Sequence, residues 1–142
     1  MSGQKNTITA QGRTDPNQTT GIVIQKSRVM GAPDLVPRLS SVKTYLGRPW
    51  KMYSRTIFLQ CFLDTLVDPA GWLEWDGNFA LNTLYYGEYK NIGPRSLTGQ
   101  RVKWDGYHVI ANASVASQFT VENFIEGQAW LSATGVPFLS SL

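Results

Sequence analysis

The sequence predicts an all-β fold, a parallel β-helix closed by a short C-terminal helix, on three observations. Short runs rich in Ile, Val, Thr and aromatic residues are separated by clusters such as Asp15-Pro16-Asn17, Gly31-Ala32-Pro33-Asp34 and Asp68-Pro69-Ala70-Gly71, the pattern of strands bounded by turns. The runs begin at irregular intervals, near residues 7, 21, 56, 81 and 101, which suits stacked coils with unequal turns better than a compact sandwich. No Asn-Gly or Asp-Gly pair sits between two clean strands to build a tight hairpin; Asp76-Gly77 follows a Trp-rich stretch instead.

The first strand is expected over 7–10 and the second over 21–26, where Ile22-Val23-Ile24 is β-branched throughout. In 56–63, Ile57, Leu59, Cys61 and Leu63 recur at every second position, which predicts four side chains on one face and makes Cys61 a core residue. Two further strands are expected over 81–89 and 101–110, the latter containing His108 in the run Tyr107-His108-Val109-Ile110. From 120 to 131 the character changes: Val121, Phe124 and Ile125 follow Thr120, a good N-cap residue, and predict a short helix despite Gly127. Such a helix would pack on or cap the open end of a stack.

A length of 142 residues is a prior for one domain, and 42% apolar residues with 5 Trp are too many for a disordered chain. Only 16% of residues are charged, against about 25% in an ordinary soluble domain, so hydroxyls and amides do much of the surface solvation. One Cys and one His exclude an internal disulfide, a multi-Cys zinc site and a two-His metal clamp. A Cys–His pair or Ser–His–Asp triad through His108 stays arithmetically open, but no Gly-x-Ser-x-Gly turn accompanies it. The net charge of +3 favours anionic partners, yet no Lys/Arg block marks a nucleic-acid site. No apolar stretch is long enough to span a membrane, and no secretory signal follows Met1. Two sequons, Asn17-Gln18-Thr19 and Asn112-Ala113-Ser114, would accept glycans in a secreted protein.

The most specific segment is Leu46-Gly47-Arg48-Pro49-Trp50. Pro49 fixes its own φ and drives Arg48 toward extended backbone, so residues 48 and 50 are expected to project to the same side. That pairs a guanidinium able to grip a carboxylate with an indole face able to carry a sugar ring. On physical grounds alone, a surface Arg beside a half-buried Trp fits these residues equally well. A second aromatic pair, Trp72 and Trp75, flanks Glu74, a lone carboxylate without the partner that glycosidase chemistry needs.

The string Leu46-Gly47-Arg48-Pro49-Trp50 resembles a motif of the pectinesterases (pectin methylesterases), particularly the plant type. Gly3-Gln4-Lys5-Asn6, Thr9-Ala10-Gln11-Gly12-Arg13, Asp15-Pro16-Asn17, Gly21-Ile22-Val23-Ile24-Gln25, Ala70-Gly71-Trp72, Trp75-Asp76-Gly77 and Tyr86-Gly87-Glu88-Tyr89 resemble the C-terminal half of that family's catalytic domain, in order, so the likeness covers essentially residues 1–142. The resemblance implies a right-handed parallel β-helix, here a partial solenoid, and hydrolysis of the methyl esters of polygalacturonate to methanol and pectate. It implies one Asp as nucleophile, a second Asp as general acid and base, glutamines that stabilise the oxyanion, and no metal or cofactor. Carried over, Arg48 positions the nucleophilic Asp, and Arg48, Trp50 and Trp72 bind substrate; for Trp75, packing inside the solenoid is as good a reading.

The family motifs bearing both Asp residues and the Gln residues precede Leu46-Gly47-Arg48-Pro49-Trp50 and have no match in this sequence. Leu63-Asp64-Thr65-Leu66 superficially resembles one of them, but it follows Arg48 and has Leu63 where the family has Gln, so Asp64 reads as a turn residue. Three expectations result: these residues alone lack esterase activity; they form a noncatalytic pectin-binding module; or they are the product of a truncated gene. The partners implied are pectin, a proteinaceous pectinesterase inhibitor, or another copy joined through the cut solenoid end, in a secreted, cell-wall setting; nucleic acid and membrane are not among them.

Overall fold

A computed structural model describes residues 3–142. The described residues form eight strands, β1 (Lys5–Thr9), β2 (Ile22–Gln25), β3 (Arg28–Val29), β4 (Lys43–Gly47), β5 (Arg55–Leu59), β6 (Phe62–Leu63), β7 (Tyr85–Tyr89) and β8 (Tyr107–Val109). Every pairing is parallel: β1 with β4, β2-β5-β7-β8 in a four-stranded sheet, and β3 with β6. Isolated parallel bridges Thr44–Val67, Gly47–Trp72 and Phe62–Ile92 extend the two smaller sheets by one pass of the chain. Parallel neighbours cannot be joined by tight turns, which accounts for the absence of hairpin signals. The all-β, parallel arrangement matches the sequence expectation at that level.

The corner between the second and third sheets corrects one expectation. Gln25, Leu59 and Tyr89 are in register, and the residue after each, Lys26, Gln60 and Lys90, has φ of +48°, +53° and +45°. Each pass therefore bends at the same level through a left-handed residue, a conformation that costs a non-glycine side chain on the order of 1 kcal/mol. Because Gln60 interrupts the two-residue period, Ile57, Leu59, Cys61 and Leu63 do not share a face. Phe58, Cys61 and Leu63 enter an interior cluster with Leu46, Val67, Trp72 and Tyr86, whereas Ile57 and Leu59 belong to a second cluster with Tyr89, Ile110 and Phe119. The four-stranded sheet is thus covered on both faces, as parallel sheets require.

Cys61 is a core residue as expected, fully buried with Sγ 3.2 Å from the Ile24 carbonyl. Burial pushes its thiol pKa up. Labelling by an aromatic disulfide reagent is expected to be slower by more than about 100-fold in buffer than in concentrated urea, because a core position opens only near the global stability. Comparable rates in the two solvents would contradict this packing.

The second cluster is covered by α1 (Ala113–Ser117) and α2 (Val121–Ile125), with α3 (Gly127–Trp130) following. The single helix expected over 120–131 is broken at Glu126, where φ is +50°. Thr120 does precede α2, but its hydroxyl donates to the Ser117 carbonyl (2.8 Å) instead of capping the helix. Phe124 and Leu142 pack onto the second cluster, and the Glu122 amide donates to the Ser140 carbonyl, which returns the C-terminal tail to the sheet.

Candidate functional site

Arg48 leaves the end of β4 with its amide donating to the Thr9 carbonyl (3.1 Å). Gly47 permits this: a Cβ there would lie 2.2 Å from Thr9 Oγ1 and 3.2 Å from the Trp72 ring, so β1, β4 and Trp72 close on one another only without a side chain. Pro49 is buried and Trp50 is 53% exposed. Trp50 stands against Gly12, within a loop pinned by the buried Arg13, which donates to the carbonyls of Tyr53 (2.6 Å) and Gln18 (3.0 Å).

The Arg48 guanidinium is held from one side. Its Nη2 donates to the carbonyls of Glu74 (3.2 Å) and Trp75 (2.9 Å), and its Cζ lies 4.3 Å from the Trp75 ring centroid. Nε is buried and has no hydrogen-bond partner among the described residues, and no carboxylate pairs with this Arg there. The Arg48 charge also reaches Tyr86, where it partly offsets the strong upward push that burial gives the phenol. Trp50, Lys51, Trp75, Asp76 and Phe79 line an open groove of about 390 Å³. A flat apolar wall on each flank, one cation, one carboxylate and the adjacent guanidinium can hold a polar ring polymer bearing carboxyl groups.

Trp72 is corrected by its burial. Its ring is 1% exposed, stacked on Tyr86 at 4.1 Å and meeting Phe58 edge-on at 5.9 Å, with Nε1 donating to Glu88 Oε1 (3.2 Å). Buried in this way, the ring presents no exposed face. Trp75, for which the sequence left packing and substrate contact equally open, is 41% exposed and touches both Arg48 and the groove. The readable signal was Asp76-Gly77 just beyond it: Gly77 has φ of +49° and the Phe79 amide donates to the Asp76 carbonyl, so the chain turns at the surface there. Asp64 is a turn residue as expected, with Oδ1 accepting from the Thr65 amide (2.7 Å). His108 lies in β8 with its ring stacked on Tyr85 at 4.5 Å, and burial pushes its pKa down. Among the described residues, no three of His, Cys, Asp and Glu converge as a metal site, and no helix is long and apolar enough to cross a membrane.

A family model described as Pectinesterase matches residues 1–128. Pectinesterase 2 of Citrus sinensis is 66% identical over 137 residues, covering 96% of this chain and 27% of its own length. The Pectinesterase of Daucus carota is 59% identical over 137 residues, covering 96% of this chain and 43% of its own length. The solved pectin methylesterase from carrot superposes with a TM-score of 0.98 at 58% identity, over 100% of this chain and 44% of that one. The pectin methylesterase of Aspergillus niger gives a TM-score of 0.69 at 26% identity, over 89% of this chain and 37% of that one. The chain thus spans less than half the length of these relatives, and with the family model matching most of its residues it belongs to the pectinesterase family.

Proposed function

We propose that residues 1–142 are the C-terminal portion of a pectinesterase catalytic domain, a partial right-handed parallel β-helix that supplies the Arg and the aromatic wall of a pectin-binding site. The carrying observation is Arg48: two carbonyls and an indole hold its guanidinium, while the buried Nε–H has no acceptor among the described residues. A buried donor left unpaired costs about 1–3 kcal/mol, and a carboxylate is the acceptor that a guanidinium pairs with best. In the reaction characteristic of the family, that carboxylate is the nucleophilic Asp, which attacks the ester carbonyl. Collapse of the tetrahedral intermediate expels the methoxy group, which a second carboxyl protonates to methanol, leaving an acyl-enzyme anhydride; the same carboxylate then deprotonates the water that hydrolyses the anhydride, freeing the pectate carboxylate and the nucleophilic Asp.

Arg48 would hold the nucleophile, and Trp50 would carry a galacturonate ring. No residue here matches the two Asp or the oxyanion Gln, so the isolated 142 residues are proposed to bind pectin without turning it over. The setting that accompanies this chemistry is the secreted, cell-wall compartment. Incubation of the purified chain with methyl-esterified pectin should release no methanol above the blank, and immobilised pectin should retain it. Methanol release abolished by Arg48→Ala would overturn the claim of inactivity, and no retention of the intact chain would overturn the pectin reading. Trp50→Ala should weaken binding about 3- to 10-fold, the worth of one aromatic platform.

A further inference from the structure

Trp75 touches both halves of the site: its ring packs against the Arg48 guanidinium at 4.3 Å and also lines the groove beside Trp50. An Arg side chain has many accessible rotamers, so a half-buried guanidinium without restraint samples many orientations. Among the described residues, the hydrogen bonds and the π contact made by its head group all go to residues 74–75. The carbonyls of Glu74 and Trp75 fix the position of Nη2, and the indole face sets the plane in which the rest of the group lies. Nε is then a donor left buried and without an acceptor among the described residues. No acid and no other side-chain acceptor of the described residues fulfils that orienting role.

We propose that Trp75 is a positioning residue for Arg48: its ring holds the guanidinium plane so that the buried Nε–H faces the carboxylate the site receives. The carboxylate's identity rests on the pectin reading above, and the orienting contact does not. A uronate of the polymer and an Asp of the enzyme are the two sources of that carboxylate, and titration separates them. The Asp76-Gly77 turn would then help determine the site by fixing where the Trp75 ring sits.

The test reads the Nε–Hε resonance of Arg48 in the 142-residue chain by ¹H–¹⁵N NMR. In the intact chain the indole ring current should move Hε upfield of free arginine, and burial should slow its exchange with water. Trp75→Phe retains a π face and should keep most of that displacement. Trp75→Leu keeps apolar bulk without a ring and should return Hε to the free-arginine position, with exchange faster by about tenfold or more. The urea midpoint of Trp75→Leu should stay near that of the intact chain, because the ring is largely at the surface, so a generic packing role would not produce this pattern. An unchanged Hε in Trp75→Leu, or equal collapse in Trp75→Phe, overturns the proposal.

Titration with trigalacturonate and with its methyl ester separates the sources. An Hε response to the acid alone identifies a uronate, with affinity falling about 3- to 30-fold in Trp75→Leu and less than about threefold in Trp75→Phe. No response to either ligand, with the Hε difference between variants intact, supports positioning for a protein carboxylate. No pectin binding at all would refute the pectin reading while leaving the orienting role standing.

Discussion

Replacing Arg101 by Met should destabilise the fold by about 3–5 kcal/mol, because it strands a buried carboxylate. Arg101 and Glu88 are both almost fully buried and pair bidentately, Nε to Oε1 at 2.8 Å and Nη2 to Oε2 at 3.1 Å. Glu88 accepts further hydrogen bonds from Trp72 Nε1, the Tyr107 hydroxyl (3.1 Å) and Asn91 Nδ2 (3.4 Å). Burial, reinforced by the Glu88 charge, pushes the Tyr107 phenol well up, so it stays protonated and remains a donor. The remaining Arg101 donors reach the carbonyls of Pro69 (2.9 Å) and Arg95 (2.6 Å), tying two long connections to β7. Gly71, at φ +74°, leaves the passage open; a Cβ there would sit 2.3 Å from Arg101 Cδ. Met preserves much of the apolar stem but leaves the Glu88 carboxyl without its cation and the Pro69 and Arg95 carbonyls without their donor. Urea unfolding followed by circular dichroism measures the loss, and a change below about 1 kcal/mol would contradict it. Pairing Arg101→Met with Glu88→Gln should recover part of the stability, since the stranded charge is the main cost.

That ion pair was not legible in the sequence: Glu88 and Arg101 are 13 positions apart, and only the stacking of β7 beside the 95–101 connection brings them together. The strand class was legible because Ile22-Val23-Ile24 and Thr56-Ile57-Phe58-Leu59 carry β-forming side chains between turn residues. β4 was missed although it leads into the most specific motif. Tyr45, Leu46 and Gly47 are all buried, so this strand has no polar alternation to read. Conversely, 81–89 and 101–110 overran the real strands. Leu84 accompanies a turn in which its amide donates to the Ala80 carbonyl, and Arg101 starts the approach to β8 from a loop. α1 was hidden in Asn112-Ala113-Ser114, a triplet read only as a sequon: Asn112 Oδ1 accepts from the Ser114 amide (2.8 Å) and caps that helix. Of the candidate site, Arg48 and Trp50 were singled out by the Leu46-Gly47-Arg48-Pro49-Trp50 string and the resemblance it carries. The choice between Trp72 and Trp75 did not, because they lie outside any regular strand and no period says which faces inward.

The same burial that removes Trp72 from the binding surface predicts the largest effect of any aromatic truncation. Trp72→Ala deletes a fully buried indole that stacks on Tyr86, meets Phe58 edge-on and donates to Glu88. Loss of a core Trp costs about 3–5 kcal/mol through lost transfer energy and the cavity left behind. Relaxation is opposed here because the ring spans the interior between β4, β5 and β7, whose parallel registers hold its neighbours apart. Trp50→Ala should behave oppositely, shifting stability by less than about 1 kcal/mol, as surface substitutions do, while weakening pectin retention. Because a loss of that size can abolish folding of Trp72→Ala, Trp72→Phe provides the decisive comparison: it keeps an aromatic ring against Tyr86 and should lower the urea midpoint while leaving pectin retention near that of the intact chain. If Trp72→Phe folds with little loss of stability yet loses pectin as completely as Trp50→Ala, then Trp72 contacts the polymer and its assignment to the core is wrong.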